Sequence, residues 1–199
     1  MSDKIHGMLI VLSGPSGVGK GTLCNKLIEK DETLTFSTSV TTRAPRDYEV
    51  EGVHYFFISD ERYDELLKED AFVEHATVHG HRYGTLKSQI EKSLEEGMNV
   101  ILDIDPQGAR TVMEKCPDCV SIFILPPDYD TLRQRLHTRN TDDEAEIARR
   151  LGNARGEIEQ MHLYDYAVIN DDLETAFRKL QCILSAEKQR TVRYQPDIR

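Results

Sequence analysis

The chain is 199 residues long, 39% apolar and 30% charged, with a formal net charge of −10. That length suits one domain with embellishments, and the apolar share is enough for a buried core and too large for a disordered chain. No run of about 18 apolar residues is available to span a membrane, residues 1–7 lack a secretory-signal core, and the acidic balance disfavours a nucleic-acid polymer as partner.

In chain order, the first strong signal is the run MLIVL at 8–12. Continuous apolar runs suit strands buried on both faces, as in a parallel sheet. It leads into Gly14, Pro15, Ser16, Gly17, Val18, Gly19 and Lys20, a G-x-x-x-x-G-K pattern, and a helix is predicted over 20–30. A glycine-rich turn between a buried strand and a helix is the setting this motif needs. Its amide groups turn inward on an anion, the helix N-terminus adds partial positive charge, and Lys20 reaches the terminal phosphates of a nucleotide. The next position, where a hydroxyl commonly serves magnesium, is Gly21, so Thr22 becomes the candidate hydroxyl.

Residues 36–83 break the strand–helix rhythm. A strand over 53–58, a short helix over 60–69 and a strand over 72–78 are predicted there, as an inserted and partly β subdomain. Its TTRAPR segment holds Arg43 and Arg46, whose guanidinium forks match phosphate oxygens and stay charged. His75, His79 and His81 share one face of an extended chain. Solvated histidines are favoured there over a zinc set, which wants a closed tetrahedron.

Beyond the insert a helix is predicted over 85–96, ended by Gly97 as a left-handed cap. A buried strand over 99–102 then runs into Asp103 and Asp105, two carboxylates on the same side of an extended chain and able to serve magnesium. A helix follows over 107–115. Cys116 and Cys119 have C-x-x-C spacing but no second pair for zinc, and they precede a strand, unlike a redox motif. With Cys24 and Cys182 they are expected as reduced thiols of a cytoplasmic protein. A strand over 121–125, helices over 129–138 and 143–160, a short strand over 167–169 and a helix over 173–190 complete the pattern. Arg133, Arg135, Arg139, Arg149 and Arg150 gather around the polar segment TRNTDD at 138–143, which is expected to close over a nucleotide and exclude water. Strands alternating with helices imply right-handed crossovers and a helix-covered parallel sheet.

Taken together, these motifs resemble the guanylate kinases over roughly 8–188. The matching segments are GPSGVGKGTL at 14–23, SVTTRAPR at 39–46, EVEGVHYFF at 49–57, FVEHA at 72–76, YGT at 83–85, ILDIDPQGA at 101–109 and VINDD at 168–172. The resemblance implies an α/β fold with a P-loop NTPase-type parallel sheet flanked by helices. A mixed α/β GMP-binding insert (about 36–97) and a short lid (about 129–159) would be carried on a core of about 1–35, 98–128 and 160–199. It implies transfer of the γ-phosphoryl group of ATP, with Mg2+, to GMP and also dGMP, giving ADP and GDP.

Carried onto this chain, the resemblance makes Ser39, Glu74, Thr85 and Asp105 the guanine contacts. Arg43, Arg46, Tyr55 and Tyr83 become the clamp on the GMP phosphate. Lys20, Arg135, Arg139 and Arg150, with Arg43, become the catalytic cations. Residues 14–22 and Asn170 become the ATP site; Thr22 and Asp103, read from the loop and strand end themselves, stay the expected metal ligands. A carboxylate such as Glu74 has chemical sense here, because guanine's Watson–Crick edge presents N–H donors. The chain departs from the family at Gly21, at His81-Arg82 before Tyr83, and at Asn140 after the lid arginine. Lys20, Arg43, Arg46 and Arg139 are all present, which separates the chain from non-catalytic modules of similar sequence. Monomer and homo-oligomer are equally compatible with the pattern.

Overall fold

The structure, a computed structural model, describes residues 7–46, 48–78, 80–138 and 144–194. Leu9–Ser13 (β1) is buried at every position because it runs through the middle of a five-stranded parallel sheet. The sheet's other strands are Leu34–Phe36 (β2), Asn99–Asp103 (β7), Val120–Leu125 (β8) and Tyr166–Ile169 (β9), in the order β2-β7-β1-β8-β9. Alternate residues of β1 serve opposite faces. Ile10 and Leu12 join Leu23, Leu27, Phe177 and Leu180 of Lys20–Lys30 (α1) and Leu173–Lys188 (α7). Leu9 and Val11 join Ile90 of Lys87–Glu95 (α3) and Ala109 and Val112 of Pro106–Lys115 (α4). Burial on both faces is why the central strands read as unbroken apolar runs. A buried Leu or Ile side chain contributes roughly 1.5–3 kcal/mol. Among the described residues no helix is long and apolar enough to cross a membrane.

A second sheet of four strands stands apart, in the order β4-β3-β6-β5. It comprises Val40–Thr41 (β3), Phe56–Phe57 (β4), Phe72–Val78 (β5) and His81–Leu86 (β6), with Asp60–Lys68 (α2) packing Tyr63 and Leu66 on Val40 and Phe72. Ser59 caps α2 by accepting from the Arg62 amide at 3.2 Å. Tyr129–Thr138 (α5) and Glu144–Glu159 (α6) pair through Leu132, Leu136, Ile147 and Ala154.

Three local expectations change. The helix predicted from 85 begins at Lys87, because residues 81–86 instead pair antiparallel with β5, setting Thr85 opposite Glu74. A Cβ at Gly84 would lie 2.6 Å from the Phe72 ring, so this strand passes tightly over its neighbour. The strand predicted over 53–58 shrinks to Phe56–Phe57, since residues 50–54 turn back on themselves with the His54 amide donating to the Val50 carbonyl at 3.1 Å. β2 and β3 are short strands that the sequence pattern does not mark. Gly97 does follow α3 in the left-handed region, at φ 80°. Although α3 lies within the 36–97 stretch, it packs on the five-stranded sheet through Ile90 and Leu94.

Candidate active site

The loop after β1 is shaped by what cannot be there. At Gly14 the backbone has φ 140°, and a Cβ would stand 2.2 Å from the Ile124 carbonyl oxygen of β8. Gly19 caps α1 at φ 96°, and its Cβ would meet Asn170 Nδ2 at 2.6 Å. Val18 anchors the loop in the core, fully buried, while its carbonyl accepts from Asn170 Nδ2 at 2.8 Å. The first turn of α1 has no acidic residue, so its amide end is left for an anion. Lys20 Nζ donates to the Gly14 carbonyl at 2.7 Å, curling back over the loop. Burial lowers its pKa, and the nearby Asp103 and Glu157 carboxylates oppose that shift. From α6, Arg150 Nη1 donates to Ser16 Oγ at 3.1 Å, so this helix touches the loop.

The carboxylates arrive from three elements. Asp103 ends β7, and a Cβ on Gly21 would lie 3.6 Å from its Oδ2. Asp105 caps α4, its Oδ1 accepting from the Gly108 amide at 2.8 Å, with Pro106 in the first helical turn. Glu157 of α6 is half-buried, and its pKa is raised by that burial against the pull of Lys20. A cleft of about 720 Å³ between α4 and α6 exposes Asp105 and Glu157. Thr22 lines a cavity of about 370 Å³ with Gly19, Arg135, Asn170 and Asp171. Among the described residues no group of three or more His, Cys, Asp or Glu side chains forms a metal cage. Asp103, a hard oxygen donor beside Lys20, fits a magnesium ion that keeps its waters and binds mainly through phosphates.

The second pole is on the smaller sheet. Glu74 is 8% exposed, and its Oε1 accepts from Thr85 Oγ1 at 2.7 Å across the β5–β6 pair. Burial raises its pKa; the Thr85 bond opposes this, Asp105 adds to it and Lys115 works against it. Oε2 abuts Gly108, where a Cβ would lie 3.2 Å away, so Glu74, Thr85 and Asp105 converge on the start of α4. Arg43 Nη2 donates to Glu49 Oε1 at 2.7 Å, and its guanidinium lies 5.6 Å from the Tyr55 ring centroid. Tyr55 and Tyr83 meet edge to face at 5.9 Å. The Arg46 amide donates to Glu49 Oε2 at 2.8 Å, and Arg46 Nη1 to Tyr48 Oη at 2.9 Å. The Arg43 guanidinium holds the Glu49 carboxyl down to about 2. Ser39 is half-buried next to β3, its carbonyl accepting from the Phe56 amide at 2.9 Å.

Most of the expected residues thus fall at two poles. Arg135 lines the cavity beside Gly17 and Gly19, its guanidinium donating to the Asn170 carbonyl at 2.8 Å and to the Val18 carbonyl at 3.4 Å. Arg139 and Asn140 lie outside the described residues, as does His79; His75 and His81 are exposed. Sequence reasoning overlooked Glu49 and Glu157. Glu49 sits three residues past Arg46. Glu157 sits two helical turns past Arg150, on the same face of α6, which was the available signal.

A parallel sheet with a glycine-rich loop at the C-terminal end of its central strand, facing cationic and acidic side chains, defines a P-loop nucleotide-binding protein. A family model described as guanylate kinase matches residues 6–187. A guanylate kinase of Caldanaerobacter subterraneus subsp. tengcongensis is 51% identical over 193 residues, which is 97% of this chain and 94% of that protein. One from Clostridium perfringens is 48% identical over 202 residues, covering 100% and 94%. A crystal structure of guanylate kinase from Anaplasma phagocytophilum superposes with a TM-score of 0.76 at 37% identity, covering 97% of this chain and 92% of that one. The chain belongs to the guanylate kinase family, a family of nucleoside monophosphate kinases.

Proposed function

We infer that this chain transfers the γ-phosphoryl group of ATP to GMP, giving ADP and GDP. The observation that carries the choice of acceptor is the buried Glu74–Thr85 pair beside Asp105, on the same sheet as Arg43, Tyr55 and Tyr83. A carboxylate suits the N1–H and N2–H₂ donors of guanine, and a hydroxyl can serve O6. Ser39 completes the base contacts, and Arg43, Arg46, Tyr55 and Tyr83 clamp the phosphate. dGMP, which carries the same base and phosphate, is read by the same side chains.

The donor triphosphate lies in the amide cradle of residues 14–19, with Lys20 releasing the Gly14 carbonyl to take a phosphate oxygen. Asn170 and Thr22 border the cavity on its nucleoside side. Asp103 would hold a magnesium ion, which when bound would supply charge neutralisation on the transferring group. The attacking phosphate oxygen of GMP is already anionic, so positioning and electrostatic stabilisation suffice without a general base. Arg43, Arg150 and Arg139 supply the cations that follow the moving phosphoryl; Arg135 acts through the loop it braces. The part of the 36–97 insert that precedes α3, and the lid at 129–159, close over the core to exclude water. Four free thiols fit a cytoplasmic setting.

The test is a coupled ADP-release assay with GMP, AMP, CMP and UMP in parallel. GMP-dependent turnover far above the other three is expected. Comparable turnover with another acceptor would overturn the base assignment.

A further inference from the structure

A groove of about 920 Å³ opens away from the phosphate loop. It is lined by Met8 and Leu9, where β1 begins, while the phosphate loop follows where β1 ends; five residues of strand separate them, about 16 Å. Cys116 and Cys119 line the same groove. Cys116 ends α4, and the Cys119 amide donates to the Cys116 carbonyl at 3.0 Å, closing a turn with Pro117 second in it. Such a turn holds its first and fourth Cα atoms within about 7 Å, and a disulfide spans about 4.4–6.8 Å. Both thiols are half-buried against the core around Leu9 and Val112. Arg193 Nη2 donates to the Asp118 carbonyl at 2.8 Å and steadies the turn from the other side. Among the described residues no third ligating group joins the pair, so it suits chemistry that two sulfurs complete, not a resident zinc ion.

We propose that Cys116 and Cys119 form a paired-thiol modification site, open to this groove, that closes to an intrachain disulfide by exchange with a low-molecular-weight disulfide. The Cys116 thiolate attacks one reagent sulfur, forms a mixed disulfide and expels a reagent thiolate, which takes a proton from water. Cys119 loses its proton to solvent, attacks the Cys116 sulfur and releases the second reagent thiol. Two protein thiols are oxidised and one reagent disulfide is reduced to two thiols. The order follows from the surroundings. Burial raises the Cys116 pKa, with Glu91 adding to the effect and Lys115 and Lys87 opposing it. Cys119 is pushed up to about 11 by burial, with Cys116 and Asp165 adding to the effect and Arg193 opposing it. Closure therefore quickens from neutral to alkaline pH.

The experiment uses the full chain carrying Cys182→Ser, which removes the exposed competing thiol, and glutathione disulfide as probe with peptide mapping. A linked Cys116–Cys119 peptide is expected. With Cys119→Ser added, the reaction stops as a glutathione adduct on Cys116; with Cys116→Ser added, the linked peptide and most of the adduct are lost. Phenylarsine oxide, which condenses with two neighbouring thiols and releases water, is expected to bind the starting protein and neither variant. Adducts that never close to the linked peptide, or arsenical uptake that persists in both variants, would overturn the proposal. So would arsenical uptake without closure under glutathione disulfide.

Discussion

Glu74 is a carboxyl kept away from water, and its titration reports its role. Its folded pKa lies above the ordinary 4.5, chiefly through burial. The folded chain therefore holds this proton more tightly than the unfolded chain, and the associated stability is present at low pH and lost as pH rises through the raised value. The proposed reading of guanine by Glu74 needs the ionised form. The acid limb of kcat/KM for GMP should then lie above the ordinary carboxylate range. Glu74→Gln should remove that limb, weaken GMP by roughly tenfold to a hundredfold, and raise stability at neutral pH. The GMP phosphate itself titrates near about 6, so the comparison with the variant is what isolates Glu74. An acid limb identical in both proteins would remove Glu74 from base recognition. Gly21 offers a second test. It lies inside α1, where glycine costs about 0.5 kcal/mol against serine, and a Cβ there meets Asp103 Oδ2 at an ordinary 3.6 Å. Gly21→Ser should raise Tm by about 1–2 °C and lower the magnesium concentration needed for half-maximal rate. Gly21→Ala should give the first effect alone; equal magnesium dependence in the two variants would deny the hydroxyl a part.

Helix α4 joins the two poles, because its cap and its first turn belong to both. Asp105 accepts from the Gly108 amide, and Gly108 in turn is the residue against which Glu74 rests. Asp105→Ala should lose about 1 kcal/mol of capping, seen as a Tm lower by about 2–4 °C. Asp105→Asn keeps the cap and removes a charge that raises the Glu74 pKa. It should hold stability, shift the Glu74 limb to lower pH and still weaken GMP. Thermal melts and GMP titrations of both variants separate the cap from the contact; full GMP affinity in the asparagine variant would leave Asp105 a cap only. At this scale the sequence was legible where burial was two-sided. The runs at 8–12, 99–102 and 121–125 announce central strands because both faces need apolar residues. β2 and β3 went unmarked because two or three residues carry no period of their own. Residues 81–86 read as a loop and helix start, since Gly84 and polar neighbours hide a strand whose pairing with β5 is a tertiary fact.

Across the molecule, the phosphate loop was legible because a strand, a glycine turn and a helix are contiguous in the chain. The division of labour around it was not. Only packing brings Asn170, which follows β9, against the Val18 carbonyl and turns Arg135 onto the carbonyls of Val18 and Asn170. The same architecture places the donor cradle on the five-stranded sheet and Glu74, Arg43 and Tyr55 on the other, so the two nucleotides should bind as separable events. A ligand at a hundred times its Kd stabilises by about 2.7 kcal/mol, or roughly 5–10 °C at this chain length. GMP should shift Lys20→Ala nearly as far as it shifts the unaltered protein, while a non-hydrolysable ATP analogue shifts it much less. Glu74→Gln should show the reverse, and turnover in Lys20→Ala should fall at least about a hundredfold. Melting curves with each ligand decide it: if Lys20→Ala lost the GMP shift as well, the two poles would be one cooperative site and the separation of the sheets would not govern binding.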